Sequence, residues 1–225
     1  MKQGTVYSHF YTKEKLKIPP KEILRYMQCK EETDDIKNVI KKILPIVYDE
    51  LSLKGSFVYL PVSCKEDGIC LADIRIKSKS LAKNLKDCNS SVVFALSLGI
   101  NIDMLIKKYS ATSTLEAFCI NAVATAAIEE YANRFCIEMA ENFKNDGLYT
   151  RPRFSPGYGD LAIESQTTFL NLTNARRLVG ITLTENYMMM PSKSITAIMG
   201  ISKKDTGCTH HNCENCNTPG CIYRR

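Results

Sequence analysis

The chain has 225 residues, of which 44% are hydrophobic and 24% charged, with a formal net charge of +6. That is ordinary globular composition, with enough chain for one large domain or a domain carrying a small appendage, and it excludes a disordered or fibrous protein. The most apolar run, residues 117–128, holds twelve uncharged residues, too few to cross a bilayer; the positive charge, without a block of five or six like residues, reads as solvated surface rather than a nucleic-acid tract.

Met1-Lys2-Gln3-Gly4 leads into polar sequence without the apolar segment of a secretory leader. With ten cysteines in the chain, this points to a reducing, cytoplasmic setting where thiols pack, react or bind metal. Pro19-Pro20-Lys21-Glu22 opens a helix, because Pro is tolerated in the first turn, and Ile23, Leu24 and Met27 form its apolar stripe. Thr33-Asp34 caps a second helix bearing Ile36, Val39, Ile40, Ile43 and Leu44, which Pro45 ends or kinks. Phe57-Val58-Tyr59-Leu60 reads as a strand, and so does the segment 69–77, where Leu71, Ile74 and Ile76 alternate with Asp73, Arg75 and Lys77.

A short helix over 80–86, a buried strand over 92–98 and a helix over 101–108 follow. Ser113 then caps the longest helix, reaching to about Asn142, with apolar residues on most faces as in the central helix of a layered domain. A helix over 166–176 and strands over 181–183 and 194–201 complete the pattern. Strands in irregular alternation with helices predict an α+β fold, with a mainly antiparallel central sheet covered by helices, a long central helix and a Cys-rich C-terminal tail. The domain boundary falls near Lys203, dividing the chain into 1–202 and 203–225.

Between the long helix and the last strand stand Arg153-Phe154-Ser155-Pro156-Gly157-Tyr158 and Leu183-Thr184-Glu185-Asn186, the latter followed by Met190-Pro191. Pro156-Gly157 favours a tight turn, since Pro presets φ and Gly accepts positive φ and lets a ligand approach the backbone. Arg153 offers a planar fork suited to a carboxylate, and Tyr158 a ring and a hydroxyl. The second stretch is close enough downstream to fold back beside the first. The acids Asp160 and Glu164 lie within reach of a ligand here, although loop acids are usually solvated.

In order and separation these stretches resemble the activation (reactivation) region of cobalamin-dependent methionine synthase, which carries R-x-x-P-G-Y, a helix, L-T-E-S/N and an apolar residue with Pro before a final strand. The helix containing Ala127-Ile128-Glu129-Glu130-Tyr131-Ala132 is similar to the helix upstream of that family's loop. The chain departs from the family where Gly159-Asp160 runs almost directly into the next helix, and where Ile198-Met199 stands in place of an aromatic. The resemblance implies a reactivation module that binds S-adenosylmethionine through Glu129 (or its neighbour Glu130), Arg153, Ser155, Gly157 and Tyr158. It implies that the module supports reductive remethylation of inactive cob(II)alamin. The cobalamin belongs to a partner, a methionine synthase or other corrinoid protein, and a reduced flavoprotein is the implied electron donor. A Rossmann-type methyltransferase is unsupported, because no G-x-G-x-x-G follows a strand.

In the tail, Cys208-x4-Cys213-x2-Cys216-x4-Cys221 encloses His210 and His211. This is a compact soft-ligand set for zinc or an iron–sulfur cluster, and either histidine could replace a thiol. It carries the competing reading of a redox or metal-cluster activator for another corrinoid methyltransferase. A zinc-stabilised nucleic-acid module fits the basic tail but lacks an aromatic base-binding motif. Cys119 and Cys136 read as core residues. Cys29, Cys64, Cys70 and Cys88 are scattered, with Cys64 and Cys70 approaching across a turn, and His9 reads as a lone surface residue. Met188-Met189-Met190 reads as packing.

Overall fold

The computed structural model describes residues 1–29 and 33–205. In chain order the elements are β1 (Val6–Phe10), α1 (Pro20–Tyr26), α2 (Asp34–Glu50), β2 (Lys54–Lys65), β3 (Gly68–Leu71), β4 (Ile74–Lys77), α3 (Lys79–Asn84), β5 (Ser90–Ser97), α4 (Asn101–Ser110), α5 (Thr114–Lys144), β6 (Tyr149–Thr150), α6 (Ser165–Leu172), α7 (Ala175–Leu178), β7 (Thr182–Leu183), β8 (Met189–Met190) and β9 (Ser194–Ser202). The main sheet has the order β4-β3-β2-β5-β9-β6, with β1 added to the N-terminal half of β2, and its pairs are antiparallel. β7 and β8 form a separate hairpin. The architecture is the α+β arrangement that the alternation of elements predicts.

β5 and β9 are buried along almost their whole lengths, because helices cover both faces of the sheet. Successive side chains of a strand point to opposite faces. Val92, Phe94 and Leu96 of β5, with Ala197, Met199 and Ile201 of β9, therefore join the core beneath α1, α2, α4 and α5. Val93 and Ile198 pack on the other side, with Leu81 and Leu85 at α3 and Phe169 of α6. Ala95 meets Leu170, Ala175 and Ile181.

Helix α5 is the keystone of the first layer. Ser113 caps it by accepting from the Glu116 N–H, and sixteen of its 31 residues are buried, more than a single amphipathic face would supply. Alanines at 122, 124, 126, 127 and 132 let its neighbours approach closely on several sides. An aromatic cluster joins it to the sheet: the Phe135 ring lies 4.6 Å from Phe94, 5.0 Å from His9 and 5.5 Å from Phe57, centroid to centroid. Cys119 and Cys136 are fully buried here, as core thiols.

Several local expectations change. Helix α2 is capped by Thr33, yet it passes through Pro45 and continues to Glu50. Pro45 and Lys41, whose carbonyl loses its usual partner, are exposed, while Ile43 and Val47 pin the helix to the core. The segment 69–77 is a tight hairpin of two strands, turned at Ala72 with φ 50°. The helix expected over 166–176 is broken at Asn174, which adopts a left-handed φ of 51°.

β1 escaped the sequence reading, and with it the position of His9. That residue is buried: Nδ1 lies 3.0 Å from the Tyr131 hydroxyl and Nε2 3.1 Å from the Glu138 carboxylate. Pairing of β1 with residues 54–58 of β2 carries it under α5. Cys64 and Cys70 do not approach as expected: across the β2–β3 ladder Cys70 pairs with Ser63 and Cys64 with Ile69, so the two thiols point to opposite faces.

Truncating the central ring tests this layer. Phe135→Ala is expected to lower unfolding free energy by about 3–5 kcal/mol, the usual cost of a buried Phe. Urea denaturation with an unchanged m-value checks it.

Candidate functional site

Along α5, Asn121, Thr125, Glu129 and Asn133 recur every four residues. Residues four apart on a helix share a face, so these make one polar row. Two cations from different segments reach it. Arg153 donates from Nη2 to Glu129 Oε2 and from Nη1 to Asn133 Oδ1, both at 2.7 Å. Lys193 donates from Nζ to Asn121 Oδ1 at 2.7 Å and to Thr125 Oγ1 at 3.1 Å. Arg153 opens the first sequence motif and Lys193 follows the second, so one helix row brings the two stretches side by side.

The segment before and through Arg153 is held as an irregular edge of the sheet. The Arg151 N–H donates to the Gly200 carbonyl, and Phe154 exchanges both backbone hydrogen bonds with Ile198 at 2.8 and 2.9 Å. The Phe154 side chain packs into the core beneath α3 and α6, while Arg153 reaches across to α5. Ile198 and Met199 of β9 are fully buried.

Beyond Phe154 the chain turns tightly. Tyr158 N–H donates to the Ser155 carbonyl, Leu161 N–H to the Tyr158 carbonyl and Gly157 N–H to the Leu161 carbonyl. Gly157 has φ 88° and Gly159 φ 55°, conformations that favour glycine. A Cβ on Gly159 would stand 2.8 Å from Ser80 Oγ, so the loop presses against the start of α3. Ser155 is half-buried, Gly157 is exposed and Tyr158 is 49% exposed.

Asp160 fastens this loop. Its carboxylate accepts from Ser78 Oγ at 2.6 Å, Lys79 N–H at 2.8 Å and Ser80 N–H at 3.0 Å. Those bonds, the Ser78 hydroxyl foremost, hold its carboxyl far below the usual range. Asp160 is thus a structural latch on α3 and not a group aimed at a ligand. Glu164 is exposed at the N-terminal end of α6.

Of the adjacent acids on α5, Glu129 faces Arg153. Glu130 is turned inward, accepting from Arg134 Nε at 2.7 Å and Asn133 Nδ2 at 3.4 Å. Arg153 is only 19% exposed. Burial works against its charge, but the neighbouring Cys136 thiol and Glu129 more than offset it, and the guanidinium is held above its ordinary value. Burial pushes the Cys136 thiol up to about 11, which keeps it protonated beside the cation.

The second stretch forms the β7–β8 hairpin. Thr184 N–H donates to the Met188 carbonyl, and Gln166 Nε2 of α6 ties the Tyr187 carbonyl at 3.1 Å. Glu185 and Asn186 are exposed at its tip. Met188 and Met190 are exposed as well, so the triple methionine is not simply packing; only Met189 lies against the core. Next to it, Ser192 donates from both its N–H and its hydroxyl to Asp103 of α4.

Asn121, Thr125, Asn133 and Lys193 were missed by the sequence reading. The signal was present as polar residues at four-residue spacing in a helix with many buried positions. Among the described residues, no group of three His, Cys, Asp or Glu side chains could hold a metal ion; Cys208, Cys213, Cys216, Cys221 and both tail histidines lie outside those residues. No helix among the described residues is long and apolar enough to cross a membrane.

Comparison with known proteins sets this geometry in context. A family model described as "Vitamin B12 dependent methionine synthase, activation domain" matches residues 12–215. A crystal structure of the MetH reactivation domain bound to AdoHcy superposes with a TM-score of 0.65 at 14% sequence identity, covering 88% of this chain and 78% of that one. No curated protein sequence matches.

The Asp160 latch gives a pH-dependent expectation. Because its folded-state carboxyl titrates below the unfolded value of about 3.9, its stabilisation is fully present above that value and is lost as pH falls through the folded one. Asp160→Ala is expected to lower the melting temperature equally at pH 7 and pH 5, with the difference from wild type shrinking toward about pH 2. Thermal melts across pH, together with limited proteolysis at residues 155–159, check this.

Proposed function

The chain belongs to the activation-domain family of vitamin B12-dependent methionine synthase, and on that premise we propose that it binds S-adenosylmethionine between Arg153 and Glu129 and presents the methyl group to a cobalamin held by a partner protein or domain. The observation that supports this most directly is the Arg153–Glu129 pair at 2.7 Å, set beside a glycine turn with an exposed Tyr158. The amino-acid end of the donor carries a carboxylate and an ammonium on one carbon, and the pair offers a partner of opposite sign for each. Of a guanidinium's five N–H donors, Arg153 directs some to Asn133, Glu129 and the Cys136 sulfur, and the rest are open to a carboxylate. Glu129 is 38% exposed, so one side of its carboxylate can accept from an ammonium.

In this reading Ser155 and Gly157 supply close backbone, and Tyr158 covers the donor on its solvent side. The pieces fit the ligand without rearrangement of the sheet, because the Phe154–Ile198 bonds and the Asp160 latch hold the loop from both ends. A partner's cobalamin, once reduced by an external one-electron donor such as a reduced flavoprotein, would supply the nucleophile for the methyl group, with S-adenosylhomocysteine as the leaving group. This chain needs no nucleophile of its own. Its residues bind, orient and shield the donor, and they leave the methyl face open to the partner.

Calorimetry with S-adenosylmethionine tests the reading. Arg153→Ala is expected to weaken binding about tenfold or more, the loss of a charge-assisted bond, and Glu129→Gln to weaken it in the same direction. Wild-type protein without saturable binding at about millimolar donor, the weak end of specific affinity, would sink the proposal.

A further inference from the structure

A separate cleft lies on the far side of α5. Glu138 and Asn142 follow Glu129 and Asn133 of the Arg153 row by nine residues each. Nine residues make about two and a half turns, so the two pairs project from opposite faces of the helix. On that far face the C-terminal half of α5 meets β1 and the stretch of β2 paired with it, around a cleft of about 330 Å³, the small end of the range for ligand pockets. Its floor is apolar: Tyr7 stacks on Phe57 with ring centroids 5.3 Å apart, and Phe143 completes it. Its rim carries Glu138 and Asp146, and among the described residues no Lys or Arg lines it.

The wall of the cleft is built around His9. Gly55 lies opposite it in the β1–β2 register, and a Cβ there would stand 3.3 Å from His9 Cβ and 3.2 Å from the Tyr131 hydroxyl. The glycine thus clears the space in which imidazole and phenol meet. Burial, with the Glu138 charge behind it, holds the Tyr131 hydroxyl well above its ordinary value, so it keeps its proton and can donate to His9 Nδ1. A carboxylate only accepts, which makes Nε2 the donor to Glu138 Oε2. That bond takes one oxygen of Glu138; the other has no partner among the described residues, and the side chain is 46% exposed. Neither Glu138 nor Asp146 has a Lys or Arg within ion-pair distance among those residues.

We propose that this cleft is a second small-molecule site and that it takes a small organic amine, whose ammonium is received by Glu138 and Asp146 while its apolar body rests on Tyr7, Phe57 and Phe143. A cleft with apolar walls and one sign of charge at its rim concentrates that field, and here the sign selects a cation. Aromatic faces attract an ammonium as well. An anion of the same size would meet two carboxylates, so the charge that favours the amine also rejects its competitors. A bare metal ion is a poorer match, because no three His, Cys, Asp or Glu side chains converge among the described residues. The site shares no residue with the Arg153–Glu129 pair and stands or falls independently of the S-adenosylmethionine reading.

Three probes with one body and different charge test this: phenethylamine, 2-phenylethanol and 3-phenylpropanoate. In titrations followed by protein NMR, phenethylamine is expected to bind saturably at about millimolar concentration, as suits so small a ligand. The alcohol is expected to bind about tenfold or more weakly, for want of the charge-assisted bond, and the carboxylate not at all. Glu138→Gln is expected to weaken the amine about tenfold while leaving S-adenosylmethionine affinity unchanged. Asp146→Asn, at an exposed position past the end of α5, is expected to act in the same direction and decides the matter if melting curves show Glu138→Gln unfolded. No saturable binding of the amine up to about 10 mM, equal binding of all three probes, or variants that bind the amine as wild type does would each overturn the assignment. So would a loss of S-adenosylmethionine affinity in folded Glu138→Gln, which would make the cleft part of the donor site. Wild type that binds the amine but not the donor would remove the donor reading alone.

Discussion

Asn121, Thr125, Glu129 and Asn133 lie in a single row on a helix that is otherwise wedged between a sheet and three other helices. A helix buried on several sides can reach polar partners only through the strip left uncovered. Here that strip sits against the edge where β9 meets the segment 151–154, and where the chain just before β9 passes. The cations that reach the row come from residues 40 apart in sequence, Arg153 and Lys193. A shift of α5 by one residue would turn each polar side chain by about 100°, toward the core, and would leave both cations without partners. The packing of Phe135 against Phe57 and Phe94 is what holds that register.

The loop that carries Arg153 is fixed differently at its two ends. At one end it is sheet: Phe154 exchanges two backbone bonds with Ile198 and buries its ring. At the other it is a borrowed helix cap, with the Asp160 carboxylate satisfying two N–H groups at the start of α3 and the Ser78 hydroxyl. Between them, residues 157–159 are exposed and bonded mainly to their own turn. Regions with few buried apolar contacts open at low cost. A rigid arginine thus stands next to a yielding turn.

Charge compensation divides the row into two unlike halves. The Arg153 end carries both signs, in a network that continues through Asn133 to Glu130 and Arg134. The Lys193 end carries one sign, moderated by neutral oxygens and by burial.

The sequence alone determined the class of fold and the locations of most elements. Hydrophobic period, the Thr33 and Ser113 caps and the Pro-Gly punctuation are local signals, and local physics was enough to place α2, α5 and β9. Arg153 and Glu129 were legible because an ordered motif singled them out, although nothing local showed that they would touch. Tertiary structure decided the rest. His9 became a core residue because β1 pairs with β2 at a distance of some fifty residues. Asp160 was drawn into capping α3, eighty residues upstream, and Pro45 could remain in a helix because its face meets water. The choice of Glu129 over Glu130 turned on which neighbour the sheet edge delivered to α5. The polar row was written in the chain at four-residue spacing, but only the fold could say what would lie across from it, since a partner's identity depends on contacts that sequence separation does not encode.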